Sequence, residues 1–579
     1  MKKIYVLVFL LLCFVSKNTL AQTNIISTNP VAEKIMLGNY NPNTYKATKV
    51  LNLPDTISNG INKRISPDSL KAYLEVLRTF KNRNTGSDTI SKTIGIGAAR
   101  RWVFSKFTQF SNANENRLIP SYLQFNQLIC NQSQHRNIFA VLPGSDTSDK
   151  SIIIIEAHID SRCQDGCDTA CVAEGMEDNG SGTALVIELA RVMSQYSYNH
   201  TIVFLLTIAE EQGLNGAEAF ADYVQAKGIK VKAVLNNDVI GGVICGQTAS
   251  QPGCSGAGLI DSLNVRLFSY GNFNSIWKGL ARYTKLQYNT RIKPIAKVKM
   301  NVNIMTPEDR TGRGGDHIPF RQHNYAAIRL TAANENGNAD VANAGYIDRQ
   351  HTSSDILGTD TDNDKKIDSF FVDFNYLGRN AVINGCTAGM IGISPLTPDF
   401  TLSTDWISKL TVTITQQTQY QKYKVGLRTT TNDWDTVYTF SGTTFTFSVP
   451  NPATYIVSVC SVNNLGVESL FSKEIQTKIS GINELNKPQQ AVELLQNKPN
   501  PSDEATTISV MVNTHEKIKA AYISISDLTG KEVHKIPIEL NNGMNEVEYN
   551  HGYHQSGTFI YSLIIDGKII QSRRMVFTN

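Results

Sequence analysis

The stretch TIVFLLTIAEEQGLNGAEAF, residues 201–220, joins an apolar strand pattern to a helical one. Seven of the eight residues from Ile202 to Ala209 are apolar, which is typical of a strand covered on both faces of a sheet. The run ends at Glu210 and Glu211, and a buried strand has no structural use for two adjacent carboxylates. The stretch therefore predicts a strand inside an α/β core and, at its end, a pair of functional glutamates.

The same alternation of patterns extends from about residue 66 to residue 232. Strand patterns occur at SIIIIEAHID (151–160) and VKAVLNNDVIGG (231–242), and a helical pattern occurs at TALVIELARVMSQ (183–195). Strands that alternate with helices are typical of α/β proteins. The predicted fold class is therefore α/β, with a mostly parallel central sheet and helices on both faces.

Histidine and carboxylate side chains stand at the ends of these predicted elements. Four residues share this position: His158, Asp160, Asp178 and Asp238. In open parallel sheets, ligands bind outside the carboxyl ends of the strands. Because His, Asp and Glu side chains together suit zinc or a similar divalent ion, the pattern predicts a metal site there.

The adjacent glutamates are expected to divide two tasks. One carboxylate would bind a metal, while its neighbour would handle the proton of the attacking water. On a regular strand they would point to opposite faces, so both reach one pocket only if the chain bends, and Gly213 favours such a bend. Asp160 would leave the strand on the same side as His158, where a carboxylate fixes the tautomer of a metal-bound imidazole.

Six short motifs occur along the chain in this order: AHIDS, EDNGSG, AEEQGLNGA, NDVIGG, GGDHIPF and QHTSSD. In this order they resemble the co-catalytic zinc aminopeptidases, metallopeptidase family twenty-eight, whose relatives include the glutaminyl cyclases. The resemblance covers roughly residues 66–390. It implies a zinc peptidase domain over these residues.

The resemblance also implies a role for individual residues. Five of them would bind two zinc ions, or another divalent metal: His158, Asp178, Glu211, Asp238 and His351. In this scheme Asp178 bridges the ions, His158 and Asp238 hold one, and Glu211 and His351 hold the other. Glu210 would be the general base, Asp160 would orient His158, and His317 would contact the substrate rather than the metal.

The function predicted from these roles is hydrolysis of N-terminal residues from peptides that have a free N-terminus. A hydroxide shared by two zinc ions would attack the peptide carbonyl, and Glu210 would take the proton and pass it to the leaving amine. Two alternatives stay open. One is a glutaminyl cyclase-like aminoacyltransferase, which typically works with one zinc, and the other is an inactive surface binding protein.

Residues 1–21 have the pattern of a secretory signal peptide, with a basic start, an apolar stretch and the small-residue ending TLA. No later segment reaches the roughly 20 continuous apolar residues of a membrane-spanning helix. The formal net charge is only +4, and Lys2, Lys3 and Lys17 of the predicted signal peptide contribute to it, so nucleic acid is not an expected partner. The mature protein is therefore expected to be secreted or bound at the cell surface.

The cysteine count favours disulfides, because eight cysteines remain once Cys13 is removed with the signal peptide. Six of them are expected to form three disulfides: Cys130, Cys163, Cys167, Cys171, Cys245 and Cys254. A second metal site is the alternative for the closely spaced cysteines of RCQDGCDTAC (162–171). Cys386 and Cys460 are left without an assigned pairing. The cysteine-rich loop would lie near the predicted metal site and alter the shape of its pocket.

The remaining segments differ in composition from the peptidase-like region. Period-two runs over 395–478 predict a small β-sandwich, and their order with Trp434 resembles a fibronectin type III domain. A polar linker, 479–493, precedes residues 494–579, which resemble the C-terminal sorting domain of type IX secretion cargo and imply that secretion machinery as a partner. A second plain β-sandwich is the alternative. Residues 22–65 are an N-terminal segment or a possible propeptide.

The segment DTDNDKKID has the acidic spacing that begins a calcium loop, with Asp360, Asp362, Asp364 and Asp368. Such a loop requires glycine and glutamate at positions where this chain has Lys365 and Phe371. An acidic, solvated insertion is therefore favoured over a calcium site.

Overall fold

A computed structural model describes residues 22–246, 252–310, 313–334, 349–429, 432–450, 452–479, 492–514, 518, 520–551 and 556–578. The predicted signal peptide and most of the predicted linker at 479–493 lie outside the described residues. In the described part of the chain, no helix is both long and apolar enough to cross a membrane.

The largest unit is built on a sheet of nine strands. They are β1 (Thr23–Ser27), β2 (Ile119–Ile129), β3 (Gln132–Leu142), β4 (Ile152–His158), β5 (Thr201–Thr207), β6 (Val231–Asn237), β7 (Asn264–Phe268), β8 (Asn301–Ile304) and β9 (Ala327–Ala332). Their order across the sheet is β1-β2-β3-β5-β4-β6-β9-β7-β8.

The helices of this unit follow the predicted alternation. They are α1 (Pro30–Met36), α2 (Pro54–Arg64), α3 (Pro67–Thr79), α4 (Gly95–Ala113), α5 (Gly182–Met193), α6 (Asn215–Ala226), α7 (Ile276–Gln287), α8 (His317–Gln322) and α9 (Phe374–Gly392). A two-stranded ribbon, β10 (Gly358–Thr359) and β11 (Ser369–Phe370), precedes α9. Every residue of β4 and β5 is buried, which requires cover on both faces of the sheet.

The sheet is mixed rather than mostly parallel. Its four central strands, β5, β4, β6 and β9, are parallel as predicted, and His158 of β4 pairs with Thr207 of β5. Outside them, β3 is antiparallel to β5 and β7 is antiparallel to β9. Part of the reason lies in the connections: only a short turn with Cys130 and Asn131 joins β2 to β3, and a short turn can join only antiparallel strands.

The N-terminal segment 22–65 is packed into this unit. Strand β1 pairs with β2, and Ile35 of α1 and Ile57 and Ile61 of α2 are buried in the main core. The prediction that this segment could be a propeptide stays untested, but its removal would expose these side chains to water.

In the part of the chain that the structure describes, two further units contain β-strands without helices. The first has the sheets β12-β13-β16 and β15-β14-β17-β18, formed by β12 (Phe400–Thr404), β13 (Lys409–Ile414), β14 (Lys422–Arg428), β15 (Thr436–Ser441), β16 (Thr444–Ser448), β17 (Ala453–Val462) and β18 (Ile475–Ile479). Both sheets contribute to one core, for example through Val412 and Val457.

The second all-β unit also has two sheets, β19-β20-β23 and β22-β21-β24-β25. Its strands are β19 (Val492–Leu494), β20 (Ala505–Val512), β21 (Ala521–Asp527), β22 (Glu532–Pro537), β23 (Gly543–Asn550), β24 (Gly557–Ile565) and β25 (Lys568–Phe577). Ile508 of β20 and Leu563 of β24 lie in its common core.

The six predicted cysteines form three disulfides: Cys130–Cys167, Cys163–Cys171 and Cys245–Cys254. This confirms the disulfide prediction and excludes a second metal site on the thiols of the 162–171 loop. Cys386 and Cys460 are both buried free thiols.

Candidate metal centre

The ends of the parallel strands bring the first group of predicted ligands together. His158 is the last residue of β4 and Asp238 follows β6, which is the parallel neighbour of β4. Nε2 of His158 lies 3.2 Å from Oδ1 of Asp238 and 3.2 Å from Oδ1 of Asp178. The adjacency of β4 and β6 therefore places His158 and Asp238 side by side, as the strand-end pattern predicted.

A second group forms around His351, which lies shortly after the segment 335–348 that is outside the described residues. Its Nε2 lies 3.1 Å from Oδ2 of Asp178 and 3.2 Å from Oε2 of Glu211. Asp178 thus directs one carboxylate oxygen to each histidine. Asp178 therefore lies between the two groups of candidate ligands.

The two adjacent glutamates both reach this centre because the backbone turns before them. Strand β5 ends at Thr207, and Ala209 has a φ of 59°, in the left-handed region. Ligand atoms of Glu210 lie with those of His158 and Asp238 within 4.8 Å of one another, and Glu211 lies in the group of Asp178 and His351. The predicted bend is present, but it begins at Ala209 and not at Gly213.

Asp160 contacts both halves of the centre. Its carboxylate lies 3.5 Å from Nδ1 of His158, and its backbone oxygen lies 3.2 Å from the same nitrogen, so an orienting role for the carboxylate stays a prediction. It also accepts hydrogen bonds from the backbone N–H groups of Glu210 and Glu211, at 3.4 and 3.3 Å. Asp160 therefore contacts the backbone of the glutamate pair as well as the imidazole.

The charge balance of the centre favours cations. Burial raises the pKa of Glu210 well above its ordinary value, and the charges of Asp238 and Glu211 add to this effect. Burial alone would lower the pKa of His351, but Glu211 and Asp178 raise it to about 10. Oε1 of Glu211 is buried and, within the described part of the chain, has no hydrogen-bond partner. Buried carboxylates in such number fit a centre that binds divalent metal ions.

Three supporting residues were not among the predicted site residues. Asp355 accepts hydrogen bonds from the backbone N–H groups of Glu177 and Asp178, both at 2.9 Å. Arg329 of β9 lies 2.9 Å from Oδ2 of Asp238 and 2.8 Å from Oδ2 of Asp309. Thr85 donates to Asp160 at 3.4 Å. Asp355 belongs to the QHTSSD motif, so the motif itself could have drawn attention to it; Arg329 and Thr85 are joined to the centre only by folding.

The cysteine-rich loop reaches the centre through Arg162. Its Nε donates to Oε2 of Glu211 at 2.6 Å, and its Nη2 lies 2.6 Å from Nδ1 of His351. The disulfides Cys163–Cys171 and Cys130–Cys167 tie this loop to itself and to the β2–β3 turn. The loop therefore forms part of the site, as expected, although the sequence did not single out Arg162.

His317 is the first residue of α8 and is fully buried. Its Nε2 lies 3.2 Å from the backbone oxygen of Glu308 and 3.9 Å from Oδ2 of Asp309. It is not among the metal-binding groups of the described residues. Its contact with the substrate stays a prediction.

The acidic segment at 360–368 lies at the surface. Asp360, Asp362 and Asp368 offer ligand atoms within 4.8 Å of one another, whereas Asp364 pairs with Lys366 at 3.3 Å. Backbone N–H groups of Asn363 and Lys365 already donate to Asp360. The preference for a solvated insertion over a calcium site stays a prediction.

The model of peptidase family M28 matches residues 137–373, which include all five predicted metal ligands and Glu210. A probable zinc metalloprotease of Leptosphaeria maculans is 30% identical over 387 residues, covering 64% of this chain and 85% of that relative. The chain belongs to peptidase family M28. It is therefore a peptidase.

Other proteins resemble this M28 peptidase more distantly. A probable zinc metalloprotease of Pyrenophora tritici-repentis is 27% identical over 362 residues, which is 60% of this chain and 79% of the relative. The LapA aminopeptidase of Legionella pneumophila, known from a crystal structure, has 20% sequence identity to this chain. The two structures superpose with a TM-score of 0.41, and the match covers 58% of this chain and 74% of LapA.

Proposed function

We propose that this M28 peptidase is an exported aminopeptidase that works with two zinc ions. The observation that carries the proposal is the position of Asp178, whose two oxygens face His158 and His351 at 3.2 and 3.1 Å. His158 and Asp238 would hold one ion and Glu211 and His351 the other, with Asp178 between them. Zinc fits this set of nitrogen and oxygen ligands, and the relatives in L. maculans and P. tritici-repentis are named as probable zinc metalloproteases.

The zinc ions would supply Lewis acidity that lowers the pKa of water and polarises the peptide carbonyl. Glu210 would accept the proton of the attacking water and donate it to the leaving amine. Burial and the carboxylates of Asp238 and Glu211 raise the pKa of Glu210, whereas His158 lowers it. Asp160 would keep Glu210 and Glu211 in place through their backbone N–H groups.

The choice of an N-terminal substrate rests on the resemblance to the co-catalytic zinc aminopeptidases. A free α-amine of the substrate would bind beside the metal ions, whereas an acetylated N-terminus would not. Cleavage of the first residue is therefore the proposed reaction.

Export is supported by two observations. The first residues have the signal peptide pattern, and three disulfides are typical of proteins that fold in an oxidising compartment. In this proposal the unit at 395–478 is a fibronectin type III-like sandwich. Residues 494–579 are a sorting domain for type IX secretion, which would deliver the enzyme out of the cell or to its surface.

The test is hydrolysis of a panel of aminoacyl p-nitroanilides by the purified protein, with and without a chelator and zinc repletion. We expect release from unblocked substrates only, its loss on chelation and its recovery at two zinc ions per catalytic centre. Pyroglutamate formation from glutaminyl peptides with one zinc would indicate the aminoacyltransferase instead. Inactivity of the zinc-loaded protein on both classes of substrate would indicate a binding protein.

A further inference from the structure

A second group of possible metal ligands lies away from the catalytic centre and shares no residue with it. Glu218 and Asp222 are one turn apart on α6, and His323 follows the end of α8. One ligand atom from each of the three side chains lies within 4.8 Å of the others. The nearest pair is Nε2 of His323 and Oδ1 of Asp222, at 2.9 Å.

The imidazole of His323 is held in the orientation of a metal ligand. Its Nδ1 lies 2.8 Å from the backbone oxygen of Pro319, and since a carbonyl can only accept, Nδ1 carries the proton of that hydrogen bond. Because Nδ1 already carries a proton, the 2.9 Å contact between Nε2 and Asp222 uses a second ring proton, and a bound cation would replace that proton at the lone pair of Nε2. A histidine that donates one ring N–H to a carbonyl and offers the other nitrogen is the usual arrangement at protein metal sites. The ring also stacks on Tyr325, with an angle of 8° between the planes.

The two elements that carry the ligands are fixed relative to each other. Phe220 of α6 and Phe320 of α8 are fully buried, and their ring centroids are 6.3 Å apart. The ligand atoms thus approach one another on a rigid frame, and preorganisation of this kind reduces the cost of binding an ion. The side chain of His323 is 11% exposed and that of Asp222 is 41% exposed, so an ion can enter from solvent.

The group has an excess of negative charge. Two carboxylates four residues apart on a helix repel each other. Among the described residues, neither Glu218 nor Asp222 forms an ion pair with a lysine or an arginine, and His323 is the cationic partner of Asp222. A divalent ion between the three side chains would relieve this repulsion and take the place of the proton on Nε2.

We propose that Glu218, Asp222 and His323 bind a divalent cation of the zinc class, in addition to the ions of the catalytic centre. One nitrogen and two carboxylates leave room for water to complete a tetrahedral coordination shell. The ion would tie α6, which begins four residues after Glu211, to the segment after α8. Its role would be structural, because none of the three residues belongs to the catalytic centre.

The test compares the full-length protein with His323→Gln and Asp222→Asn, after equilibration with ZnCl₂ and removal of free zinc. By elemental analysis, each variant is expected to hold one zinc fewer per chain than the unaltered protein. His534→Gln is the matched control, since His534 is an exposed histidine on β22, and this variant should keep the full complement. Added zinc at about 100 times its dissociation constant should raise the Tm of zinc-depleted H534Q by roughly 5 °C more than that of zinc-depleted H323Q.

Two results would overturn the proposal. Equal zinc content in H323Q, D222N and H534Q would show that the group binds no ion. A Tm difference between H323Q and H534Q that is the same with and without zinc would show an ordinary His–Asp ion pair. This test measures the zinc content of the variants and not their activity. Its result is therefore independent of whether the protein is an aminopeptidase.

Discussion

Glu210 and Glu211 are adjacent in the sequence, yet the folded chain gives them different neighbours. Glu210 lies with His158 and Asp238, whereas Glu211 lies with Asp178 and His351. Oε2 of Glu211 is 3.2 Å from Nε2 of His351. Substitution can therefore separate a role in proton transfer from a role in metal binding.

We expect Glu210→Gln to lower kcat by about 10³-fold or more while the zinc content stays the same, since an amide cannot accept the proton of water. Glu211→Gln is the matched comparison and should lose bound zinc, because Glu211 is a proposed ligand. Steady-state kinetics and elemental analysis of the two variants measure both effects. If Glu210→Gln loses zinc and Glu211→Gln retains it, the two roles are reversed.

Asp355 is a residue beside the centre that is not itself a proposed metal ligand. Its carboxylate holds the backbone N–H groups of Glu177 and Asp178. We expect Asp355→Asn to weaken zinc affinity by about 10- to 100-fold, which is the usual effect of removing a group that orients a ligand. Titration with a zinc buffer measures the change.

The control for this substitution is Asp373→Asn. Asp373 also accepts a backbone N–H, from Tyr376 at 2.8 Å, but it does so at the start of α9. Its variant should bind zinc with unchanged affinity. Equal affinities in Asp355→Asn and the unaltered protein would mean that the loop of Asp178 is held by its other contacts.

At the scale of elements, the cysteine-rich loop is the part of the site that departs most from the motif pattern. Cys163 follows Arg162, which contacts both Glu211 and His351. A disulfide from Cys163 to Cys171 therefore limits where the guanidinium can lie.

We expect the double variant Cys163→Ser, Cys171→Ser to lower kcat/KM by about tenfold, because small misplacements of groups at a catalytic centre are costly. Its Tm should also fall, because removing a disulfide that closes a loop of this length costs roughly 2–3 kcal/mol. The matched control is Cys245→Ser, Cys254→Ser, which removes a disulfide of nearly the same span outside the centre. Equal losses of kcat/KM in both double variants would show that the loop has no special role.

At the scale of the whole molecule, buried charges join the peptidase unit to the first all-β unit. Nη1 of Arg282 on α7 and Nε of Arg428 on β14 each donate to Oε1 of Glu474 at 2.7 Å. Tyr283 of α7 also donates to the backbone oxygen of Glu468. Residues 22–479 are therefore the smallest part of the chain that we expect to fold alone.

Glu474→Gln should lower the free energy of unfolding by about 3–5 kcal/mol near neutral pH, because it removes the charge of the carboxylate that both buried guanidinium groups contact. Burial alone would raise the pKa of Glu474, but Arg282 and Arg428 lower it below its ordinary value. A carboxylate with a lowered pKa stabilises the fold above its unfolded pKa of about 4.3 and loses this contribution as the pH falls. The difference between Glu474→Gln and the unaltered protein should therefore shrink below about pH 4.

Urea unfolding followed by fluorescence at a series of pH values measures this difference. Glu493→Gln is the control, because Glu493 and Lys478 form an exposed pair at 3.9 Å that should contribute little at any pH. A difference that persists unchanged at low pH would show that Glu474 acts through packing and not through its charge.

The local patterns of the sequence determine the buried strands, the residues at their ends and the family. Strands β4 and β5 are apolar along their length, and helices must cover both faces of such strands, so the α/β core follows from their composition. His158 and Asp238 are candidate ligands because they lie at the ends of these strand patterns, and neighbouring parallel strands end at the same edge of a sheet. The cysteine count likewise leads to three disulfides.

The tertiary structure alone decides the partners that come from distant segments. The direction of β3 and β7 depends on which strands they meet, so the mixed sheet does not follow from strand patterns. Arg329 and Thr85 reach the centre from segments whose own sequence gives no reason to expect it, and His323 meets Asp222 from 101 residues away. Composition and hydrophobic periodicity describe each segment by itself. Metal-binding groups, ion pairs and the contacts that support them depend on distances between segments, and these distances exist only once the segments have packed.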